Sequence, residues 1–117
     1  MGETDLIKVE KVLQGGDGLA KLAEQNLVEL GFNGQVPAAA QAVAVSLAFC
    51  QQRELVLMME LNRRVAAEAE ATGQSFAEML FDASNRAIYA PVMKDIDRAH
   101  KQSKDYRRQL REYLEEG

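Results

Sequence analysis

The chain has 117 residues, of which 47% are hydrophobic, and a formal net charge of -4 at neutral pH. This composition predicts a folded domain rather than a disordered chain, and the negative charge disfavours binding of nucleic acid or anionic membranes over the whole surface. Cys50 is the single cysteine, which excludes an internal disulfide, and the first residues lack a signal-peptide pattern, so we expect a cytoplasmic protein.

Residues 1–36 are predicted to form two short helices. The first covers residues 4–13 and has one apolar face, and a glycine-rich segment then interrupts the chain. The second covers residues 18–30, where leucine and alanine recur at helical spacing. A turn that ends at Pro37 separates these helices from a core of long helices, which we expect over residues 37–117.

Residues 37–72 form the longest predicted helix, because they contain no internal glycine or proline. Pro37 suits the first helical position, and Gly73 suits a left-handed C-terminal cap. Apolar residues cover nearly the whole circumference, and Glu54 is the one interruption of a seam with alternating spacings of four and three. A helix of this kind is buried, so we predict that it is the central helix of the fold. Its most apolar run, residues 36–50, is too short and alanine-rich to predict a membrane span.

A fourth helix is predicted over residues 76–89, after a tight turn. Ser75 and Glu78 have the spacing of a capping box, in which each side chain accepts a hydrogen bond from the other residue's backbone N–H. One face of this helix is apolar, and Phe81 and Ile88, seven residues apart, mark a second apolar face. We therefore expect this helix to be covered on two sides.

The last predicted helix covers residues 92–115 and has the most regular pattern in the chain. Its narrow apolar seam consists of Val92, Ile96, Ala99, Ser103, Tyr106, Leu110 and Tyr113. The chain is therefore predicted to be an all-α single domain over residues 1–117, with four to five helices. In this fold the central helix, residues 37–72, packs antiparallel against the C-terminal helix.

A basic face is predicted opposite the seam of the C-terminal helix. It consists of Lys94, Arg98, Lys101, Lys104, Arg108 and Arg111, and these six residues are the candidate partner-binding site. Residues 94–111 contain seven lysines or arginines and three aspartates, so this segment is basic although the whole chain is acidic. Two interpretations remain open: a solvated face of a packing helix, or a contact surface for an acidic partner or a nucleic-acid backbone.

The sequence contains few arrangements that predict chemistry. Asp97 and His100 are three residues apart on one helix, which is half of a dinuclear carboxylate site in a helical bundle. Both residues fall on the polar side of the seam, so we expect them to face solvent. A nucleophilic pair of Cys50 with His100 has no supporting spacing, and no residues are assigned as catalytic, metal-binding or cofactor-binding.

Residues 57–88 resemble the two helices of ribbon-helix-helix DNA-binding proteins. The resemblance is carried by apolar Leu61, Val65 and Ala69, by the turn Thr72-Gly73-Gln74-Ser75, and by Glu78, Met79 and Leu80. It implies a DNA-binding dimer with a strand just before these helices, at residues 51–57. No turn signal precedes that segment, and Glu54 within it would oppose DNA phosphates, so the residues themselves favour a continuous helix.

The functional prediction is a non-enzymatic protein-interaction module of bacterial type, such as an adaptor, chaperone or regulatory subunit. The central helix has more apolar surface than short neighbouring helices can cover, so we expect a homodimer that also binds another protein. The first alternative is a dimeric ribbon-helix-helix-like DNA-binding regulator. The second is a metal-dependent enzyme that uses Asp97 and His100.

Overall fold

The computed structural model describes residues 18–83 and 86–116, and these residues form an all-α fold without strands. The helices are α1 (Gly18–Leu30), α2 (Ala38–Thr72), α3 (Phe76–Asp82) and α4 (Ala90–Glu116), with a 3₁₀ turn at Ala87–Tyr89 before α4. The predicted fold class is therefore confirmed. The helix predicted over residues 4–13 lies outside the described residues.

Helix α2 begins one residue later than predicted. Pro37 is its N-cap, with extended backbone angles (φ -55°, ψ 143°), so it precedes the helix instead of occupying its first position. Gly73 ends the helix as predicted, in the left-handed conformation (φ 73°) that glycine adopts at little cost. Residues 51–57 lie inside this continuous helix, whereas the ribbon-helix-helix arrangement requires a strand there.

Helices α2 and α4 pack antiparallel, as predicted, and the seam of α4 faces α2. One apolar cluster contains Leu47 and Leu110, near the start of α2 and the end of α4. A second cluster contains Val65 and Val92, near the end of α2 and the start of α4. Helix α4 extends over residues 90–116 and not 92–115, because Pro91 fits in the first helical turn, where its missing N–H has no partner to lose.

Helix α1 also packs against α2 and occupies the predicted residues 18–30. Its buried residues Leu22, Ala23 and Leu27 belong to the same cluster as Leu47 of α2. A buried pair of amide side chains also joins the two helices, and it is described with the candidate site below.

Helix α3 is shorter than predicted. It ends at Asp82, and a separate 3₁₀ turn at Ala87–Tyr89 lies at the end of the segment predicted as helix 76–89. Ser75 caps it, since the Ser75 hydroxyl accepts a hydrogen bond from the Glu78 N–H at 3.4 Å. Met79 packs into the core, but Phe81 is 87% exposed and Ile88 is also exposed, so the expected covering of a second face was wrong.

A polar corner fixes the 3₁₀ turn against α2. Tyr89 is buried, and its hydroxyl donates a hydrogen bond to the Glu68 carboxylate, which also forms an ion pair with Arg86. The Arg64 guanidinium lies over the Tyr89 ring, 5.8 Å from its centroid. The hydrogen bond to Glu68 raises the pKa of the Tyr89 phenol, and burial adds to this effect.

The molecule is elongated and thin. Its Cα radius of gyration is 16.8 Å, and its principal extents are 55 × 27 × 17 Å. A compact domain of 100 residues has a radius of gyration of about 13 Å. Among residues 18–83 and 86–116, no helix covers the side of α2 that carries Phe49 and Val56, so this side is exposed.

Helix α2 is also long and apolar enough, by length and composition, to cross a membrane. An 18-residue window within it has a mean hydropathy of 1.3, and 33% of that window is buried against the other helices. Core helices of water-soluble proteins have the same length and composition. The run predicted to be too short for a span ends at residue 50, but the apolar part of the helix continues beyond it.

Candidate functional site

The predicted basic face lies along α4, and all six of its residues are exposed. Three of them pair with acidic residues of the same helix: Arg98 with Asp95, Lys101 with Asp97, and Arg108 with Asp105 and Glu112. The hydrogen bond from Arg108 lowers the pKa of the Asp105 carboxyl. Positive and negative charges thus alternate on this face, which is typical of a solvated helix surface and weakens its field.

An open, polar groove follows one flank of the basic face. It is lined by Lys94, Asp97, Arg98, Lys101, Gln102, Asp105, Tyr106 and Gln109. All of these residues belong to α4, and three of the candidate partner-binding residues are among them. Most of the lining side chains are charged or amide side chains, so the groove is suited to an extended polar segment.

A second candidate surface, which the sequence did not assign as a site, runs along the outer side of α2. Val45, Phe49, Val56 and Met59 are between 42% and 58% exposed there, and we call these four residues the outer stripe. Their positions, with Gln52 between them, follow alternating spacings of four and three, as in the seam of a helix pair. Helix α2 is therefore apolar on two sides, of which α1, α3 and α4 cover one.

A shallow groove between α1 and α2 adjoins the outer stripe. Its floor is apolar and includes Ala20, Leu27 and Val45, and its rim includes Glu24 and Gln41. Because Val45 belongs to both features, the groove and the outer stripe form one continuous surface. A helix that lay on the outer stripe would therefore reach the rim of this groove.

A further apolar patch lies near the connection between α3 and α4. Its exposed members are Phe76, Leu80, Phe81 and Ile88. The patch is confined to a seven-residue helix and the turn after it, so it is shorter than the outer stripe. It forms a separate surface without a continuous helical seam.

The interior of the molecule contains two polar contacts between helices. Asn26 of α1 and Gln51 of α2 exchange hydrogen bonds of 2.8 and 3.2 Å between their buried side-chain amides. Glu54 of α2 lies 3.2 Å from the His100 ring, with Oε1 facing Nδ1. The other carboxylate oxygen of Glu54, and the hydroxyl of Ser103, are buried without a hydrogen-bond partner among the described residues.

These contacts correct the predicted environment of His100. Its side chain is only 24% exposed and faces Glu54, whereas Asp97 is well exposed and pairs with Lys101 at 2.9 Å. The predicted pair of Asp97 and His100 is therefore not brought together. The signal that could have located the true partner was Glu54 itself, since a single charge within an apolar seam faces the core.

The chemistry available at this position is limited. No group of three or more histidine, cysteine, aspartate or glutamate side chains in residues 18–83 and 86–116 is placed to hold a metal ion. Cys50 contacts Gln102 at 3.8 Å and does not contact His100. Burial raises the pKa of the Cys50 thiol, which makes the thiol less reactive at neutral pH.

Comparison with known proteins gave no matching family model, no matching curated protein and no matching solved structure.

Proposed function

We propose that this protein is a non-enzymatic, helical protein-interaction module of the cytoplasm, of the adaptor, chaperone or regulatory-subunit kind. The observation that carries the proposal is the outer stripe, a helical seam of four large apolar side chains exposed on the longest helix. Exposed apolar patches of this continuity mark interaction surfaces in water-soluble proteins.

The energetics of the outer stripe support a binding role. The exposed parts of its side chains amount to on the order of 400 Å² of apolar surface, which a partner helix would remove from water. Burial of that area contributes roughly 10 kcal/mol before the costs of association are subtracted. A helix is the matching partner, because the alternating spacing of the stripe is that of helix–helix packing.

The polar residues support the same proposal. In the interior, Asn26 bonds with Gln51, and Glu54 contacts His100, so these side chains connect one helix to another. Their partners lie within the fold, and this arrangement orients α1 and α4 on α2. It thereby keeps the outer stripe turned away from the core.

The basic face of α4 is the second proposed contact surface. Lys94, Lys104 and Arg111 form no ion pair with the described residues, so they are the members most available to an acidic partner. A variant in which Lys94, Arg98, Lys101 and Arg108 are all changed to glutamate should lose partner binding and retain its helical circular dichroism. Unchanged binding by that variant would remove the basic face from the proposal.

Site-specific photo-crosslinking tests the outer stripe. A photoreactive phenylalanine analogue at position 49 should form a covalent adduct with a protein, because that side chain lies within the proposed contact. The matched control carries the analogue at Lys21, an exposed position of α1, and should form little adduct. Protein adducts that are equally weak at both positions, in the purified protein and in cell extract, would contradict the proposed function.

A further inference from the structure

We propose that the outer stripe is the contact between two copies of this chain, which pair antiparallel along α2 about a twofold axis near Gln52. This inference rests on the proposed function, since it names the partner for the same surface. Three observations support it: the distribution of apolar residues about Gln52, the distribution of charge along α2, and the area that is available.

The outer stripe is nearly symmetric about Gln52. Val45 and Met59 are each seven residues from it, and Phe49 and Val56 are three and four residues from it, on opposite sides. In a twofold interface, residue i of one copy contacts residue j of the other, and j contacts i. An antiparallel pair therefore places Val45 near Met59 of the second copy, and Phe49 near Val56 of the second copy.

The charge along α2 favours the antiparallel orientation. Residues 38–52 contain no charged side chain, whereas all the charged residues of α2 lie in residues 53–72. A parallel pair would place Arg63 at the level of Arg63 of the second copy, which is unfavourable. An antiparallel pair places each charged half of α2 along the uncharged half of the other copy.

A charge contact across the interface is also expected from this arrangement. Arg63 lies one helical step beyond Met59 on the same side of α2. Its side chain is 72% exposed and pairs with Glu60 of the same helix at 2.7 Å. About the axis near Gln52, Arg63 comes to the level of Gln41 in the second copy. Gln41 lines the groove between α1 and α2, and the exposed Glu24 carboxylate is on the rim of the same groove.

The available area fits a dimer of ordinary size. The outer stripe extends for about 21 Å along the helix, at 1.5 Å per residue. With the adjoining alanines and the rim of the groove, each copy would bury on the order of 600 to 800 Å², close to the area per partner of a standard interface. The exposure of the four side chains of the outer stripe shows that no described helix lies on this side.

Sedimentation equilibrium of the full chain is the first test. The wild-type protein should have twice the chain mass of 13.0 kDa at micromolar concentration. Val56→Glu should sediment as a monomer with unchanged circular dichroism, because the substitution places a charge on the twofold contact. Phe81→Glu is the matched control, since Phe81 is exposed but lies outside the stripe, and it should remain a dimer. A monomeric wild-type protein, or a dimeric Val56→Glu variant, would overturn the inference.

Cysteine cross-linking tests the orientation, in a Cys50→Ser background. Proteins carrying Val45→Cys and Met59→Cys should form a disulfide when they are mixed, whereas Val45→Cys alone should not. A disulfide of Val45→Cys with itself would show parallel pairing and refute the proposed arrangement. Glu24→Arg and Arg63→Glu should each weaken the dimer, and the double variant should recover part of that loss.

The two proposals can fail separately. If the purified protein is a monomer but position 49 cross-links to a different protein, the dimer is wrong and the interaction module stands. If the monomer binds phosphatidylcholine vesicles through the outer stripe, the occupant is lipid and the dimer is also wrong. If it is a monomer without any protein adduct at position 49, both proposals fail.

Discussion

Replacement of Glu54 and replacement of His100, which contact each other, should lower the stability of the fold by unequal amounts. Glu54 is almost fully buried, and one of its oxygens already lacks a hydrogen-bond partner, whereas His100 remains partly open to water. Removal of the histidine therefore leaves a buried carboxylate without its neighbour. Removal of the glutamate leaves an imidazole that water can still reach. The first change should be much more costly than the second.

The magnitudes follow from the burial of each group. Loss of its hydrogen-bond partner leaves the buried Glu54 carboxylate unsatisfied, so His100→Leu should lower the free energy of unfolding by about 3 kcal/mol. Glu54→Met removes a buried charge and adds apolar volume, so its cost should be about 0 to 1 kcal/mol. The double variant should be close to Glu54→Met, because the orphaned carboxylate is then absent.

Urea unfolding at pH 7, followed by circular dichroism at 222 nm, measures these differences at one fixed protein concentration. Asp97→Asn is the control for an exposed ion pair and should change the free energy of unfolding by less than about 0.5 kcal/mol. Equal costs for His100→Leu and Glu54→Met would refute the reasoning. So would a double variant that is as unstable as His100→Leu alone.

Three further predictions concern the core, the thiol and the tyrosine corner. Leu47→Ala should lower the free energy of unfolding, measured in urea, by about 2 to 5 kcal/mol. Val28→Ala, at a well-exposed position, should change it by less than about 0.5 kcal/mol. Similar losses for the two variants would contradict the assigned core. Cys50 should react with a disulfide reagent at pH 8 more slowly in the folded protein than in urea, because burial raises its pKa; equal rates would contradict that burial. The pKa of Tyr89 is higher in the folded than in the unfolded protein. The hydrogen bond from Tyr89 to Glu68 therefore stabilises the fold fully below a pH of about 10, and this stabilisation is lost as the pH rises through the pKa that Tyr89 has in the folded protein. As the pH rises above about 10, the free energy of unfolding should therefore fall less for Tyr89→Phe than for the wild type. Parallel plots of this free energy against pH for the two proteins would contradict the hydrogen bond to Glu68.

Sequence periodicity was sufficient to predict the long helices. The seam of α4 from Val92 to Tyr113 is buried or half-buried along its whole length, and α1 has the predicted residues. In these segments a continuous apolar stripe and clear end signals specify the same structure. The antiparallel packing of the two long helices was also predicted, and the structure confirms it.

The segment after α3 was predicted less well, because local signals there conflict with tertiary contacts. The pattern favoured one helix over residues 76–89, but the partly buried hydrogen bond and the ion pair of Glu68 hold Tyr89 and Arg86 against α2. These contacts depend on residues about twenty positions apart, and spacing within the segment does not contain that information. Phe81 and Ile88 consequently stay exposed although their spacing suggested a covered face.

The candidate surface on α2 illustrates a more general limit of periodicity. Alternating spacings of four and three describe both the inner side, with Leu47 and Leu61, and the outer stripe, with Phe49 and Val56. Apolar content alone therefore does not decide which side the rest of the chain covers.

The two interhelical polar contacts provide the physical reason for the choice of side. If α2 rotated to bury the outer stripe, Gln51 would lose Asn26 and Glu54 would lose His100, at a cost of several kcal/mol. The four residues of the stripe are all apolar, and Gln52, which lies between them, forms no such contact with the described helices. The buried polar side chains thus fix which apolar seam becomes the core, and the seam that they leave outside is the one available to a second copy of the chain.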